Sequence, residues 1–234
     1  MMTKEELLQR LNEIKAGGWI RTHRVHDTGI GKTLEDLLGI EENNIAMPDV
    51  GEIELKAKRA ESGSMLTLAT KSPLPRGVNK LLWETYGYLG EGGIRNLHCT
   101  VSGGSVNPQG FGLELSEDKL VLLNANGISA HWPISIFDDV LKNKSDKLLL
   151  VFAETRGARL TENEHFHFVE AHLLSGLTME RFRSAINAGV LKVDIRIGAF
   201  RSGTKRGQYH DHGTGFRIMK RDFLSLYESQ EQLM

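Results

Sequence analysis

Asp49, Glu54 and Lys56 lie in the stretch Met47-Pro-Asp-Val-Gly-Glu-Ile-Glu-Leu-Lys-Ala-Lys58. Ile53, Leu55 and Ala57 alternate there with Glu52, Glu54, Lys56 and Lys58, the period of a half-buried strand. Glu54 and Lys56, two apart, then share a face, and Asp49 can fold back toward them. Two carboxylates at one point suit a hard, oxygen-seeking cation such as Mg²⁺. A lysine beside them can orient or deprotonate water and neutralise a phosphate. That is equipment for cutting a phosphodiester. Glu-x-Lys also occurs at Glu13/Lys15 and Glu117/Lys119, but only Glu54/Lys56 has an aspartate a few residues upstream. The alternative for the motif alone is an amphipathic strand with a solvated polar face. Glu35, among Leu34, Leu37 and Leu38, projects either inward as a further carboxylate or outward to water.

A second constellation occupies residues 192–218. Asp194 and Arg196 fall on one strand face, with Val193, Ile195 and Ile197 on the other. Arginine can donate a fork to guanine O6 and N7, and aspartate can accept from the cytosine amino group, so such a strand can read a G·C pair. His210, His212 and Arg217 add polar groups, and Lys205, Arg206 and Lys220 suit phosphates. The alternatives are a surface ion pair for Asp194/Arg196 and a metal site for His210/His212. No cysteine or third histidine at ligand spacing supports zinc. His165 and His167 alternate on a strand and are expected to face solvent. Cys99 is expected to be packing, and Trp19, Trp83 and Trp132 are read as core anchors. Gly29-Ile-Gly-Lys-Thr33 is not a nucleotide phosphate loop, because His26 stands where its first glycine belongs.

The elements that must position these groups follow from periodicity. Leu7, Leu8, Leu11 and Ile14 give a helix over 3–15, and Thr33–Ile40 reads as a short helix. Ser64–Thr70 is expected to be the hairpin partner of the Glu54/Lys56 strand. Val78–Tyr86 reads as a helix, followed by short strands from Leu97 to about Ala130, and Pro133 is expected to open a helix to Leu141. Lys147–Ala153 and His165–Leu174 read as strands, Thr178–Ala188 as a helix and Leu191–Phe200 as a strand. A basic glycine-rich loop (203–213), a short strand (214–219) and a final helix (222–232) complete the chain. The class is mixed α/β, in one domain or two lobes.

Composition narrows the partners. The chain has 234 residues, 40% hydrophobic and 25% charged, which excludes disorder and fibrous repeats. Net charge is −1, which argues against a non-specific nucleic-acid coat. Residues 192–221 carry net +6 and residues 55–80 net +5. Two such segments can line a cleft for a polyanion, and two solvated charged faces fit the charge alone equally well. One cysteine cannot form an internal disulfide and fits a reducing cytoplasm. The charged start does not read as a signal peptide, and no apolar run nears the ~20 residues of a membrane helix.

The blocks Thr28–Leu38, Pro48–Lys56, Thr70–Pro73, Leu97–Gly103 and Lys192–Ile218 resemble the MvaI/BcnI-type restriction endonucleases, most closely the MvaI branch. The likeness covers roughly 17–103 and 178–218, not about 104–177. It implies a MutH-like, restriction-endonuclease-like fold with a mixed central sheet flanked by helices, bilobal around a DNA cleft. By this likeness the chain is a single nuclease domain over 1–234, with a catalytic part at roughly 1–130 and a recognition segment at roughly 190–220. Asp49, Glu54 and Lys56 are then catalytic, with Mg²⁺ (one or two ions) on the two carboxylates. Glu35 corresponds to an early-helix acidic residue, and Lys71 to an auxiliary active-site lysine. Asp194, Arg196, His210, His212 and Arg217 fall where the family reads bases. The expected substrate is double-stranded DNA at a CC(N)GG-type site, cut by a monomer through sequential nicking. A companion DNA methyltransferase on the same site is the expected partner. The rival readings are a MutH-like repair nickase and a DNA-binding protein without cleavage.

Overall fold

Alternation of apolar and polar residues makes this chain largely strand. The computed structural model describes residues 3–40, 53–142 and 147–234, so Asp49 and the 41–50 loop lie outside the described residues. In chain order come α1 (Lys4–Ala16), β1 (Ile20–Arg21), α2 (Gly29–Leu38), β2 (Glu54–Arg59) and β3 (Leu66–Thr70). Next are α3 (Val78–Tyr86), β4 (Tyr88–Leu89), β5 (Arg95–Val101), β6 (Gly112–Leu115), β7 (Lys119–Leu123), β8 (His131–Pro133) and α4 (Asp138–Val140). The remainder is β9 (Lys147–Arg156), β10 (His165–Ser175), α5 (Met179–Asn187), β11 (Leu191–Ala199), β12 (Tyr209–Asp211), β13 (Gly215–Ile218), α6 (Lys220–Phe223) and β14 (Ser229–Gln232). The chain forms two units, residues 1–63, 141–178 and 227–234 in the first and 64–140 and 179–226 in the second. Each is assembled from segments distant in sequence.

The first unit holds a mixed sheet ordered β1-β10-β9-β2, with β14 also on β10. β9 reads Leu-Leu-Leu-Val-Phe-Ala without interruption because both its faces are buried, and it pairs in parallel with β2. α1 opens with a capping box. Thr3 Oγ1 accepts from the Glu6 amide, and Glu6 Oε2 accepts from the Thr3 amide. Leu7, Leu11 and Ile14 then pack with Ile30, Leu34 and Leu38 of α2 over Leu149, Val151, Phe166 and Phe168, with Leu55 and Ala57 alongside. Leu8, expected on that stripe, is exposed. The result is an α/β fold with a mixed sheet and helices on it.

The second unit holds an antiparallel sheet ordered β3-β13-β11-β5-β4, with β12 on β11, and a smaller sheet β6-β7-β8. Phe216 of β13 packs against Phe137, Phe182 and Trp132, ring centroids 4.6, 6.2 and 5.6 Å away. These large rings fill the apolar side and leave the other side to polar residues.

Several expectations are corrected. β3 is not the hairpin partner of β2: it pairs with β13 in the second unit, while β2 takes β9, whose apolar run supplies a buried neighbour. The expected helix at 222–232 is a short α6 followed by β14. There backbone pairing with residues 172–175 overrides the helical composition of Ser-Gln-Glu-Gln. Pro133 ends β8 in an extended conformation opposite Lys119, so helical bonding begins only afterwards. α2 begins four residues earlier than expected, at Gly29. A Cβ on Gly29 would stand 2.2 Å from the Arg24 carbonyl oxygen, so this glycine serves close packing. Trp132 is a core anchor, whereas Trp19 is exposed with the Arg156 guanidinium 4.7 Å from its ring.

Candidate functional site

In the first unit, the pleat of β2 sends Leu55 and Ala57 to the helices and Glu54, Lys56 and Lys58 to the opposite face. Their partners in register are Leu148, Leu150 and Phe152, all buried. Among the described residues β2 ends the sheet order, so there this row lies at a sheet margin. Lys56 Nζ donates to Glu54 Oε1 at 3.4 Å, and the two side chains are 24% and 12% exposed. A carboxylate so far removed from water is costly unless a cation balances it. Its oxygens suit a hard divalent ion. Among the described residues no three His, Cys, Asp or Glu side chains form a ready metal cluster, and Asp49 lies outside them. Glu35 is half-buried on α2, which packs on β2, and its Oε1 lies 3.9 Å from the Cβ position of Gly31.

The far end of β2 is clamped. Arg59 donates to both oxygens of Glu164, Nε to Oε1 at 2.7 Å and Nη2 to Oε2 at 2.8 Å, with side chains 8% and 1% exposed. The Leu160 amide adds a third donor at 2.9 Å. Burial works to raise the Glu164 pKa, but the Arg59 guanidinium and the Leu160 N–H outweigh it and hold the carboxyl below its usual range. Arg59 was counted in the basic segment 55–80. Its charge is spent inside the fold, and the segment is divided between the two units.

In the second unit, one face of the antiparallel sheet gathers the predicted base readers. Asp194 and Arg196 lie on β11, Arg217 on β13, and His210 on β12, which His212 directly follows. Val193, Ile195 and Ile197 are buried on the other face, as the alternation requires. Asp194 pairs with Arg217, not with Arg196: Arg217 Nη1 donates to its Oδ2 at 2.5 Å, and Thr100 Oγ1 donates to its Oδ1 at 3.0 Å. Arg217 Nη2 donates to the Met65 carbonyl at 3.0 Å, while its buried Nε has no hydrogen-bond partner among the described residues. Among the described residues, Arg196 reaches the carbonyls of Gly213 and His212, at 3.3 and 3.4 Å. Gly215 makes room for this, since a Cβ there would lie 3.1 Å from the Arg217 stem.

The turn that carries the histidines is anchored by a residue the sequence reading passed over. Asp211 accepts from Asn79 Nδ2 at 2.8 Å, the Tyr209 hydroxyl at 3.3 Å and the Gly213 amide at 2.7 Å. Burial, and then the Asp211 charge, push the Tyr209 hydroxyl up to about 12, so it remains a donor. The His210 ring lies 4.5 Å from Phe200 and 4.4 Å from His212. Burial, and then His210, His98 and Arg196 nearby, lower the His212 pKa. Lys205 and Arg206 sit on the exposed loop beyond β11, where Arg206 Nη2 donates to the Gly92 carbonyl at 3.0 Å. Lys71 follows β3 in this unit, half-buried, whereas Glu54 and Lys56 belong to the other. Cys99 is buried, and burial pushes its thiol up to about 12. β5 adds Asn96, His98 and Thr100 to the polar face. Their alternation with Leu97, Cys99 and Val101 was legible, but their place beside Arg196 was not.

No helix among the described residues is long and apolar enough to cross a membrane. A search among curated protein sequences finds no match. Among solved structures, the restriction endonuclease MvaI in complex with its cognate DNA is similar to this chain. The two share 34% identity over 100% of both chains, with a TM-score of 0.84. MvaI in the absence of DNA, also 34% identical, covers 100% of this chain and 99% of its own, with a TM-score of 0.58. The family model described as the MvaI/BcnI restriction endonuclease family matches residues 8–227. With that match spanning nearly the whole chain, and a solved member 34% identical over the full length, the chain belongs to the MvaI/BcnI restriction endonuclease family.

Proposed function

We propose that this chain is a Mg²⁺-dependent, sequence-specific endonuclease that cuts double-stranded DNA at a CC(N)GG-type site as a monomer, by sequential nicking. The family supports DNA cleavage of the restriction type. The observation that carries the catalytic assignment is the Glu54/Lys56 pair, 3.4 Å apart and largely shielded on one face of β2. Glu54, with Asp49, would hold the ion, which when bound supplies Lewis-acid polarisation of the scissile phosphate and lowers the pKa of a coordinated water. Lys56 orients the attacking water and offsets charge building on the phosphoryl oxygens. Glu35 and Lys71 are auxiliary members of the site in this reading. Attack at phosphorus leaves a 5′-phosphate and a 3′-hydroxyl. Specificity comes from Asp194, Arg196, His210, His212 and Arg217, while Lys205 and Arg206 hold backbone phosphates. A DNA methyltransferase acting on the same site is the companion activity such an enzyme requires.

The test is digestion of a sequenced, unmethylated plasmid with Mg²⁺, every end being mapped. Discrete double-strand ends at one CC(N)GG-type motif are expected. Nicks confined to one strand would replace this reading with a repair-type nickase, and tight specific binding without cutting would replace it with a binding protein.

A further inference from the structure

Gly198 of β11 leaves an opening in the polar face of the second unit. A Cβ at that position would lie 3.1 Å from Asn96 Oδ1, 3.7 Å from His212 Nε2 and 3.9 Å from His98 Nε2. Three polar atoms, two from β5 and one from the turn after β12, thus converge over a residue of β11 with no side chain. His98 stands directly across from Arg196 in the β5–β11 register and is exposed. Its ring makes no hydrogen bond among the described residues. Asn96 Nδ2 donates one of its two N–H groups to the Ile94 carbonyl at 3.0 Å, and it is Oδ1, an acceptor, that faces the opening. The surroundings of His212 lower its pKa, which favours the neutral imidazole, and a neutral imidazole has one ring nitrogen free to accept. Asn96 also lines a cleft of about 150 Å³ shared with Glu91, Gly92, Ile94, Arg201 and Arg206.

We infer that this slot, floored by Gly198 and lined by Asn96 Oδ1, His98 Nε2 and His212 Nε2, reads an exocyclic amino group on a base edge in the major groove. The inference rests on the base-reading role proposed above for this face and adds Asn96, His98 and Gly198 to it. The amino groups displayed there are N4 of cytosine and N6 of adenine, each with one N–H left after pairing. That N–H meets an acceptor in the slot. A thymine O4 or guanine O6 would instead face Asn96 Oδ1, two acceptors with no proton between them, and be rejected. The slot lies beside Arg196, the guanine-type donor, so adjoining strands read complementary chemistry.

The test uses duplexes of the mapped site in which each cytosine in turn is replaced by 2-pyrimidinone and each adenine by purine, removing only the amino group. Specific binding is measured without metal. For the wild-type protein one position is expected to lose about tenfold or more in affinity, and whether a cytosine or an adenine stands there identifies the base. Asn96→Ala should weaken binding to the intact site and lose nothing further on the amino-less duplex. Gly198→Ala, which fills the slot without demanding an unusual backbone, should behave alike. Equal losses from amino removal in wild type and in both variants overturn the slot while leaving the face a base reader. A wild-type protein that binds every amino-less duplex as it binds the intact site overturns the slot, and one that binds the intact site no better than an unrelated duplex overturns the base-reading role itself.

Discussion

The two units use ion pairs in opposite ways. In the first, Arg59 and Glu164 are almost wholly enclosed and joined by two short bonds, with the Leu160 amide completing the set. In the second, Arg217 and Asp194 are 20% and 12% exposed, and Arg217 keeps a buried Nε with no partner among the described residues. A satisfied, enclosed pair is a fastener: it fixes the end of β2 so that Glu54 and Lys56 are presented from a rigid strand. A pair with spare donors on a polar face is poised to exchange partners when a ligand arrives. In the proposed function, chemistry is concentrated on one narrow row of β2, while discrimination is spread over four strands and a turn.

That contrast makes graded predictions. Asp49→Ala or Glu54→Ala should reduce cleavage by about 10³-fold while specific binding in a gel-shift assay persists. Lys56→Ala should act on rate far more than on affinity, and an equal loss in both would assign it to binding instead. Glu164→Gln should remove roughly 3–5 kcal/mol of stability in denaturant unfolding, because it leaves Arg59 buried against a neutral group. The folded-state pKa of Glu164 is depressed below its ordinary 4.5. Its contribution is therefore complete above that value and lost as pH falls below it. The wild-type stability advantage over Glu164→Gln should shrink in that acid range, and a gap independent of pH would show the pair is not the fastener.

On the reading side the effects are smaller and differ in kind. Arg196→Ala should cost roughly 1–3 kcal/mol of discrimination at a single base pair, measured by competition between duplexes with one substitution each. A uniform loss over all sequences would make it a phosphate contact. Asp211→Ala should cost about 1 kcal/mol in specific binding, by loosening the turn that carries His210 and His212, with cleavage per bound complex unchanged. If Glu54→Ala altered sequence preference, or Arg196→Ala slowed cleavage of the bound site, the division of labour would fail.

Much of this was legible in the chain. The alternation around Glu54 and Lys56, and around Asp194 and Arg196, assigns each pair to one strand face, because a pleated strand leaves no other choice once its apolar residues are buried. The long blocks shared with a nuclease family pointed to the same residues. Pairing was not legible. β3 sits beside β13 rather than β2, Asp194 bonds to Arg217 rather than to Arg196, and Arg59 is used up by a glutamate 105 residues away. Period and propensity act over a few residues, so they set which face a side chain takes. Which strands become neighbours depends on burial of whole sheet faces, and that contest is decided only when distant segments meet. The opening over Gly198 belongs wholly to that second level, since β11, β5 and the turn after β12 define it together.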